Sequence, residues 1–282
     1  EAALCPESLR RKGSGEPEEK TRKYSAVTVH SQRGRHGLTC LPFLMYDNSE
    51  NGKTSCKKDG DCRPMAEKEN IYIYLKENFL PEGRDGEAAA ERKRLSHTLL
   101  REAASLYLVR CGRICGENAA EAERWQLEEG PYGKPRFVEC PDLHFSISHS
   151  GSCWCCAFST SPIGLDIQAH GFGKGALPQE AEGERLRLRM QRISDRFFHP
   201  YERLWLENGG DFFAVWAAKE SYVKYTGEGM HRSFDSFAVA DENGLLPFVK
   251  GEGAHAQLRK LPAPAGYSLC LCAKRMDEVL FL

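Results

Sequence analysis

The sequence predicts an α+β fold, and three observations predict it. Short β-branched and aromatic runs such as Ile71-Tyr72-Ile73-Tyr74-Leu75 recur between Gly- and Pro-rich turns. Longer stretches carry apolar residues at helical spacing. The two kinds of element come in mixed order along the chain.

Taken in order, the strand at Ile71–Leu75 is followed, after Pro81 and two glycines, by a helix from about Glu87 to Cys111. Leu95, Leu99, Ala103 and Leu106 make its apolar stripe, with Arg92, Arg94 and Arg101 among the polar positions. Gly130-Pro131-Tyr132-Gly133-Lys134-Pro135 is punctuated as a loop. Strands follow near Phe145–Ile147 and Cys153–Ser159, joined at Ser150-Gly151, and another runs from Ile163 to Ile167. Between Gly183 and Phe198 the pattern is helical: Leu186, Met190, Ile193 and Phe197 form one stripe, and Arg185, Arg189, Arg192 and Arg196 form another beside it. A helix spans about Phe212 to Tyr225 and stops at Thr226-Gly227-Glu228-Gly229. The remainder reads as strands at Phe234–Ala240, Leu246–Val249, Ala256–Lys260 and Tyr267–Ala273.

Residues 1 to 67 are polar, without sustained periodicity, and read as a partly irregular extension. Cys5, Cys40, Cys56 and Cys62 with His30 and His36 could suggest a zinc knuckle, but their spacings match none of the usual patterns. A chain of 282 residues suits two similar halves, and 41% hydrophobic content supplies a core. A formal net charge of -1 argues against general nucleic-acid binding, so no nucleic-acid partner is expected. No apolar run reaches the ~20 residues of a membrane span. Twelve cysteines, scattered and partly in predicted strands, without a basic-then-apolar leader, lead us to expect a reducing, cytoplasmic compartment.

Three stretches carry the chemistry. In Trp216-Ala217-Ala218-Lys219-Glu220-Ser221-Tyr222-Val223-Lys224, Glu220 sits one helical turn before Lys224. In Ile163-Gly164-Leu165-Asp166-Ile167-Gln168, Asp166 and Gln168 are two apart in a strand and share a face. The third is His144-Phe145-Ser146-Ile147-Ser148-His149-Ser150. Two acids from different elements and a flanking lysine can hold a divalent cation against a phosphate. Each has a plainer reading: Glu220 and Lys224 as a surface ion pair worth a few tenths of a kcal/mol, Asp166 as a cap, His149 as a turn residue.

These stretches occur in order with Tyr132-Gly133-Lys134-Pro135, Pro162, Arg196-Phe197-Phe198, Gly227-Glu228-Gly229 and Asp235-Ser236-Phe237. In that combination, from about Ile71 to Ala273, the chain resembles the Sfp-type 4′-phosphopantetheinyl transferases. The resemblance implies a pseudo-twofold pair of similar α+β subdomains, at 68–161 and 162–282, clasping coenzyme A, with the second carrying a Mg²⁺ site. It implies transfer of 4′-phosphopantetheine from coenzyme A to a serine of an acyl, peptidyl or aryl carrier protein, releasing 3′,5′-ADP. By the same resemblance Asp166 and Glu220 hold Mg²⁺, Glu220 takes the serine proton, and Lys224 stabilises the departing phosphate. Ser148 and His149 contact the 3′-phosphate with Arg92, for which Arg94 is the competing choice. Lys134 with Pro135 shapes the nucleotide side. Many relatives have a glutamate where this chain has Gln168, so the site has one negative charge fewer than theirs. Two internal halves make a monomer sufficient. The rival reading is a noncatalytic coenzyme A- or carrier-binding module with a decayed metal site, against which Asp166, Glu220 and Lys224 are all retained. A two-metal hydrolase lacks enough clustered acids.

Overall fold

The computed structural model describes residues 68–79, 86–112, 121–171, 179–251 and 255–282. The N-terminal extension and its cysteine–histidine set lie outside the described residues. In chain order the elements are β1 (Asn70–Lys76), α1 (Gly86–Arg110), β2 (Leu127–Glu129), β3 (Pro135–Phe137), β4 (His144–Ser150), β5 (Cys153–Ser159) and β6 (Ile163–Ala169). They continue with α2 (Gln179–Phe197), α3 (Pro200–Glu207), α4 (Phe212–Thr226), β7 (Phe237–Asp241), β8 (Gly244–Gly251), β9 (Gln257–Leu261), β10 (Tyr267–Ala273) and β11 (Glu278–Phe281). The α+β expectation is met.

Two sheets organise these strands. The first has the order β11-β1-β5-β4 and the second β6-β10-β9-β8-β7. Strand alternation gives each sheet two working faces. Ile71, Ile73, Cys153, Cys155 and Ala157 of the first sheet meet Ile163, Leu165, Ile167, Leu269 and Leu271 of the second in one apolar layer. On its other face the first sheet packs Tyr72, Trp154, Cys156 and Phe158 against Leu99, Leu100, Ala103 and Tyr107 of α1. The second sheet turns Cys270 and Cys272 to Ala214, Ala217, Ala218 and Val223 on and around α4. Cys153 and Cys156 have the C-x-x-C spacing, but residues three apart in a strand face opposite ways, one into each layer. As expected of small buried hydrophobes, the thiols of Cys153, Cys155, Cys156, Cys270 and Cys272 are buried and free.

Several boundaries differ from the sequence expectation for local reasons. The core stripe of α1 runs through Leu100, Ala104, Tyr107 and Leu108, while Leu106 is exposed. The punctuated loop at 130–134 is the tip of a short β2–β3 hairpin, closed by Gly130 N donating to Lys134 O at 2.9 Å and Gly133 N to Gly130 O at 2.9 Å. Phe234–Ser236 is a 3₁₀ turn rather than strand, held by Ser236 Oγ donating to Ser233 O. The C-terminal strand β11 pairs in parallel with β1, so the last strand of the chain lies beside the first described one.

At the seam between the sheets, β4 and β6 are joined by side chains. Ser146, Ser148 and Ser150 alternate along β4, so their hydroxyls all face the edge of β6. Each accepts a backbone N–H: Leu165 N to Ser146 at 2.9 Å, Ile167 N to Ser148 at 3.2 Å and Ala169 N to Ser150 at 3.0 Å. Three hydroxyls thus satisfy donors that a neighbouring strand would otherwise take.

Candidate active site

Helix α4 supplies one wall of the site. Asp211 caps its N-terminus by accepting from Ala214 N at 3.0 Å, and Gly227, at φ 75°, ends it in the left-handed conformation. The helix is apolar nearly all round because it is wrapped by other elements. It lies directly on β6. A Cβ on Gly164 would overlap the carbonyl of Ser221 and the N–H of Tyr225, so only glycine allows this approach. The approach brings Glu220 and Lys224 of α4 to Asp166 of β6.

Asp166 is 6% exposed. Its Oδ1 accepts from Ser148 Oγ at 2.7 Å and from Lys224 Nζ at 2.6 Å. Lys224 also donates to Ser148 Oγ at 2.9 Å, closing a triangle of three side chains from three elements. The other oxygen, Asp166 Oδ2, is buried with no hydrogen-bond partner among the described residues. Such an atom is costly unless a further group meets it.

Glu220 stands beside this carboxylate. Burial first, then the negative charge of Asp166, pushes its carboxyl up to about 7, against the opposing pull of Lys224. Two carboxylates in electrostatic contact, one with an unpartnered oxygen, are the residues here that could hold a cation. Gln168, on the same face of β6, donates its amide nitrogen to Ser150 Oγ at 3.3 Å and Ala169 O at 3.0 Å. Among the described residues no three His, Cys, Asp and Glu side chains come together as a metal cluster.

Positive charge gathers on the β4 side. His149 lies over Phe79, ring centroids 5.8 Å apart. Burial, followed by the charges of Lys224 and Arg92, holds its imidazole below the usual value, with Asp166 opposing. Arg92 is near enough for its charge to bear on this imidazole. Arg94 forms a two-point pair with exposed Glu91, at 2.6 and 3.0 Å. Lys134 reaches inward: its ammonium donates to Ile163 O at 2.9 Å and Lys224 O at 2.6 Å, clamping the hairpin tip to β6 and the end of α4. Burial, with the charge of Lys224 in the same direction, brings its pKa down to about 8. Lys134 and Pro135 line, with Tyr132, Gly133, Ser146 and Lys224, a cleft of about 220 Å³ between the hairpin tip, β4 and the end of α4.

Asp166, Ser148, Lys224 and Glu220 thus fall together, with Gln168 on the same strand face and Lys134 and Pro135 at the adjoining cleft, whereas Arg94 lies apart on the surface. Sequence reading did not single out Ser146 and Ser150, whose alternation with Ser148 was the available signal, nor the approach made at Gly164, a glycine inside an apolar run.

Residues 162–272 match the 4′-phosphopantetheinyl transferase superfamily. The chain is 34% identical over 160 residues to the 4′-phosphopantetheinyl transferase gsp of Aneurinibacillus migulanus, covering 55% of each. It is 31% identical over 154 residues to the 4′-phosphopantetheinyl transferase Sfp of Bacillus subtilis strain 168, covering 52% of this chain and 62% of that one. With the 4′-phosphopantetheinyl transferase ffp of Bacillus subtilis it shares 31% over 171 residues, 55% of this chain and 69% of the relative. The match to the first two spans between half and two thirds of their length.

Proposed function

The chain belongs to the 4′-phosphopantetheinyl transferase superfamily, and from that premise we propose that it moves 4′-phosphopantetheine from coenzyme A to a serine of an acyl, peptidyl or aryl carrier protein. The observation that carries this reading is the divided Asp166 carboxylate: one oxygen held by Ser148 and Lys224, the other buried and unpartnered beside Glu220.

That donor set fits Mg²⁺. Asp166 Oδ2 and the Glu220 carboxylate would hold the ion, hard oxygen ligands of the kind this cation takes. Bound there, it supplies neutralising charge to the diphosphate of coenzyme A. Gln168 borders the set and can contribute its amide oxygen.

The protein groups have distinct work in such a transfer. The serine oxygen of the carrier forms a bond to the phosphorus that bears pantetheine. The bond from that phosphorus to its bridging oxygen breaks, and 3′,5′-ADP leaves. The Glu220 carboxylate accepts the serine proton. Lys224, fixed by Asp166 and Ser148, presents an ammonium to the oxygen that gains charge on departure. His149 and Arg92 hold the 3′-phosphate beside Ser148, whose hydroxyl proton goes to Asp166 Oδ1, and the cleft at Lys134 and Pro135 takes the nucleotide. Phosphoryl transfer needs this positioning and charge more than covalent help.

The chain divides in this reading into an extension at 1–67 and transferase halves at 68–161 and 162–282, sufficient as a monomer in the cytoplasm. Among the described residues no helix is long and apolar enough to cross a membrane. The exposed Arg185, Arg189, Arg192 and Arg196 of α2 would steer an acidic carrier protein.

The test is mass spectrometry of an apo-carrier protein incubated with this chain, coenzyme A and Mg²⁺. A gain of about 340 Da on the carrier serine supports the reading. Binding of coenzyme A without any mass gain would leave only the noncatalytic module.

A further inference from the structure

The most deeply buried charges of the described residues lie one residue from the candidate base. Lys219 and Glu202 are each 0% exposed, with Lys219 Nζ 2.8 Å from Glu202 Oε2. The same ammonium donates to Phe234 O at 2.6 Å and Phe237 O at 2.8 Å, and sits 4.3 Å from the centroid of the Phe237 ring. Glu202 accepts from His199 N at 2.8 Å and Val239 N at 2.7 Å. Burial pushes the carboxyl up and the ammonium down. The hydrogen bonds favour the ionised pair all the same: three acceptors surround Lys219, which only –NH₃⁺ serves with three protons.

Stability is a poor account of this pair. Taking two charges out of water is strongly unfavourable, and apolar replacements of similar volume are often neutral or stabilising. What the pair does geometrically is specific. It ties α4 to α3 through Glu202, to the 3₁₀ turn through Phe234 and to β7 through Phe237 and Val239. Those ties fix the rotation and axial position of α4 about Lys219. Successive helical residues are about 100° apart, so a fixed azimuth for Lys219 fixes that of Glu220.

We propose that Lys219 and Glu202 are positioning residues that hold the Glu220 carboxylate in register with Asp166, separately from holding the fold together. The proposal rests on the transferase reading and deepens it. The pair touches no substrate. Its effect on the reaction passes through the rotation of α4, where a misplacement of about 1 Å is worth up to about 10²-fold in rate.

The experiment compares three proteins. In Lys219→Met/Glu202→Gln both charges are removed, while the amide oxygen still accepts from Val239 N. Val215→Ala is a control: Val215 is a fully buried α4 residue in the apolar core one turn before Lys219, and its truncation loosens the helix while leaving both charges and their hydrogen-bonding groups present. Denaturant midpoints and kcat and KM for coenzyme A are measured for each. The expected result is a kcat loss for the double variant on the order of 10²-fold with KM for coenzyme A within about twofold, and a control that keeps kcat at equal or larger loss of stability. Equal kcat losses in the double variant and the control, or an unchanged kcat in a folded double variant, overturn the proposal. If the double variant does not fold, Glu202→Gln alone, whose single amide oxygen stays at Val239 N while its NH2 replaces the oxygen that meets Lys219 and His199 N, must show the same kcat-only loss, and a normal kcat there overturns it. If the parent transfers nothing, the functional reading falls by itself. The pair is then judged by calorimetric Mg²⁺ binding, which the double variant should weaken about tenfold and which, if unchanged, rejects the positioning role.

Discussion

Lys224 Nζ stands 2.6 Å from Asp166 Oδ1, and both also meet Ser148 Oγ, so the lysine, the acid and the serine form one hydrogen-bonded unit from α4, β6 and β4. Lys224→Met removes the ammonium and leaves Asp166 without its counter-ion. The expected loss in kcat/KM is on the order of 10²-fold, as for removal of one preorganised donor from a developing charge. Steady-state transfer assays check this, and a loss below about threefold would reject the placement.

The stability of the metal-free protein should depend on pH through Glu220. Its folded pKa is raised from 4.5 to about 7, so between those values the folded state holds a proton that the unfolded chain has released. Its contribution to stability is therefore full below about 4.5 and lost as pH rises to about 7. Glu220→Gln removes that slope. Urea midpoints of parent and variant should converge at low pH, with the variant more stable near pH 8 by on the order of 2 kcal/mol. Parallel curves would show that burial of this carboxyl is not felt.

Gln168→Glu replaces an amide whose nitrogen donates to Ser150 and Ala169 O with a third acid on the Asp166 face. The Mg²⁺ concentration for half-maximal activity should fall severalfold, because one more negative ligand is offered to the cation. An unchanged metal titration would place this side chain outside the site.

Arg92 and Arg94 separate cleanly. The charge of Arg92 reaches His149, whereas Arg94 is held by Glu91 on the surface. Arg92→Ala should raise KM for coenzyme A about tenfold, with little effect on KM for 3′-dephospho-coenzyme A, and Arg94→Ala should change neither. Equal sensitivity with both donors would remove Arg92 from the 3′-phosphate.

Charge reversal on α2 addresses the carrier. Arg189→Glu/Arg192→Glu should raise the apparent KM for carrier protein severalfold, steeply at low salt, and leave KM for coenzyme A unchanged. Equal effects on both substrates would assign the change to the fold.

Part of the candidate site was legible in the sequence through local periodicity, and the rest through the family resemblance. Asp166 interrupts an apolar strand run, and Glu220 and Lys224 share a helical face, so element type singles them out, whereas Arg92, Lys134, Ser148 and His149 entered through the family resemblance. Lys219 and Glu202 were not legible as partners. Glu202 belongs to α3, an eight-residue helix too short to show a period, started by a capping box between His199 and Glu202 that the sequence reading passed over. The pairing exists only once α3 and α4 have packed. Lys134 shows the same limit from another side: its motif marks it as important, but only the folded chain shows its ammonium clamped on Ile163 O and Lys224 O. Strand β11 was missed because four residues carry too little pattern to stand out, and its pairing with β1 is a contact across the whole described chain.

The most direct measurement is calorimetric titration of Mg²⁺ into the protein with bound coenzyme A, for the parent, Asp166→Asn and Glu220→Gln. If Asp166 and Glu220 share one ion, the parent binds a single Mg²⁺ and each substitution weakens that same event by about tenfold or more. One-to-one binding at undiminished affinity in either variant would contradict the shared site.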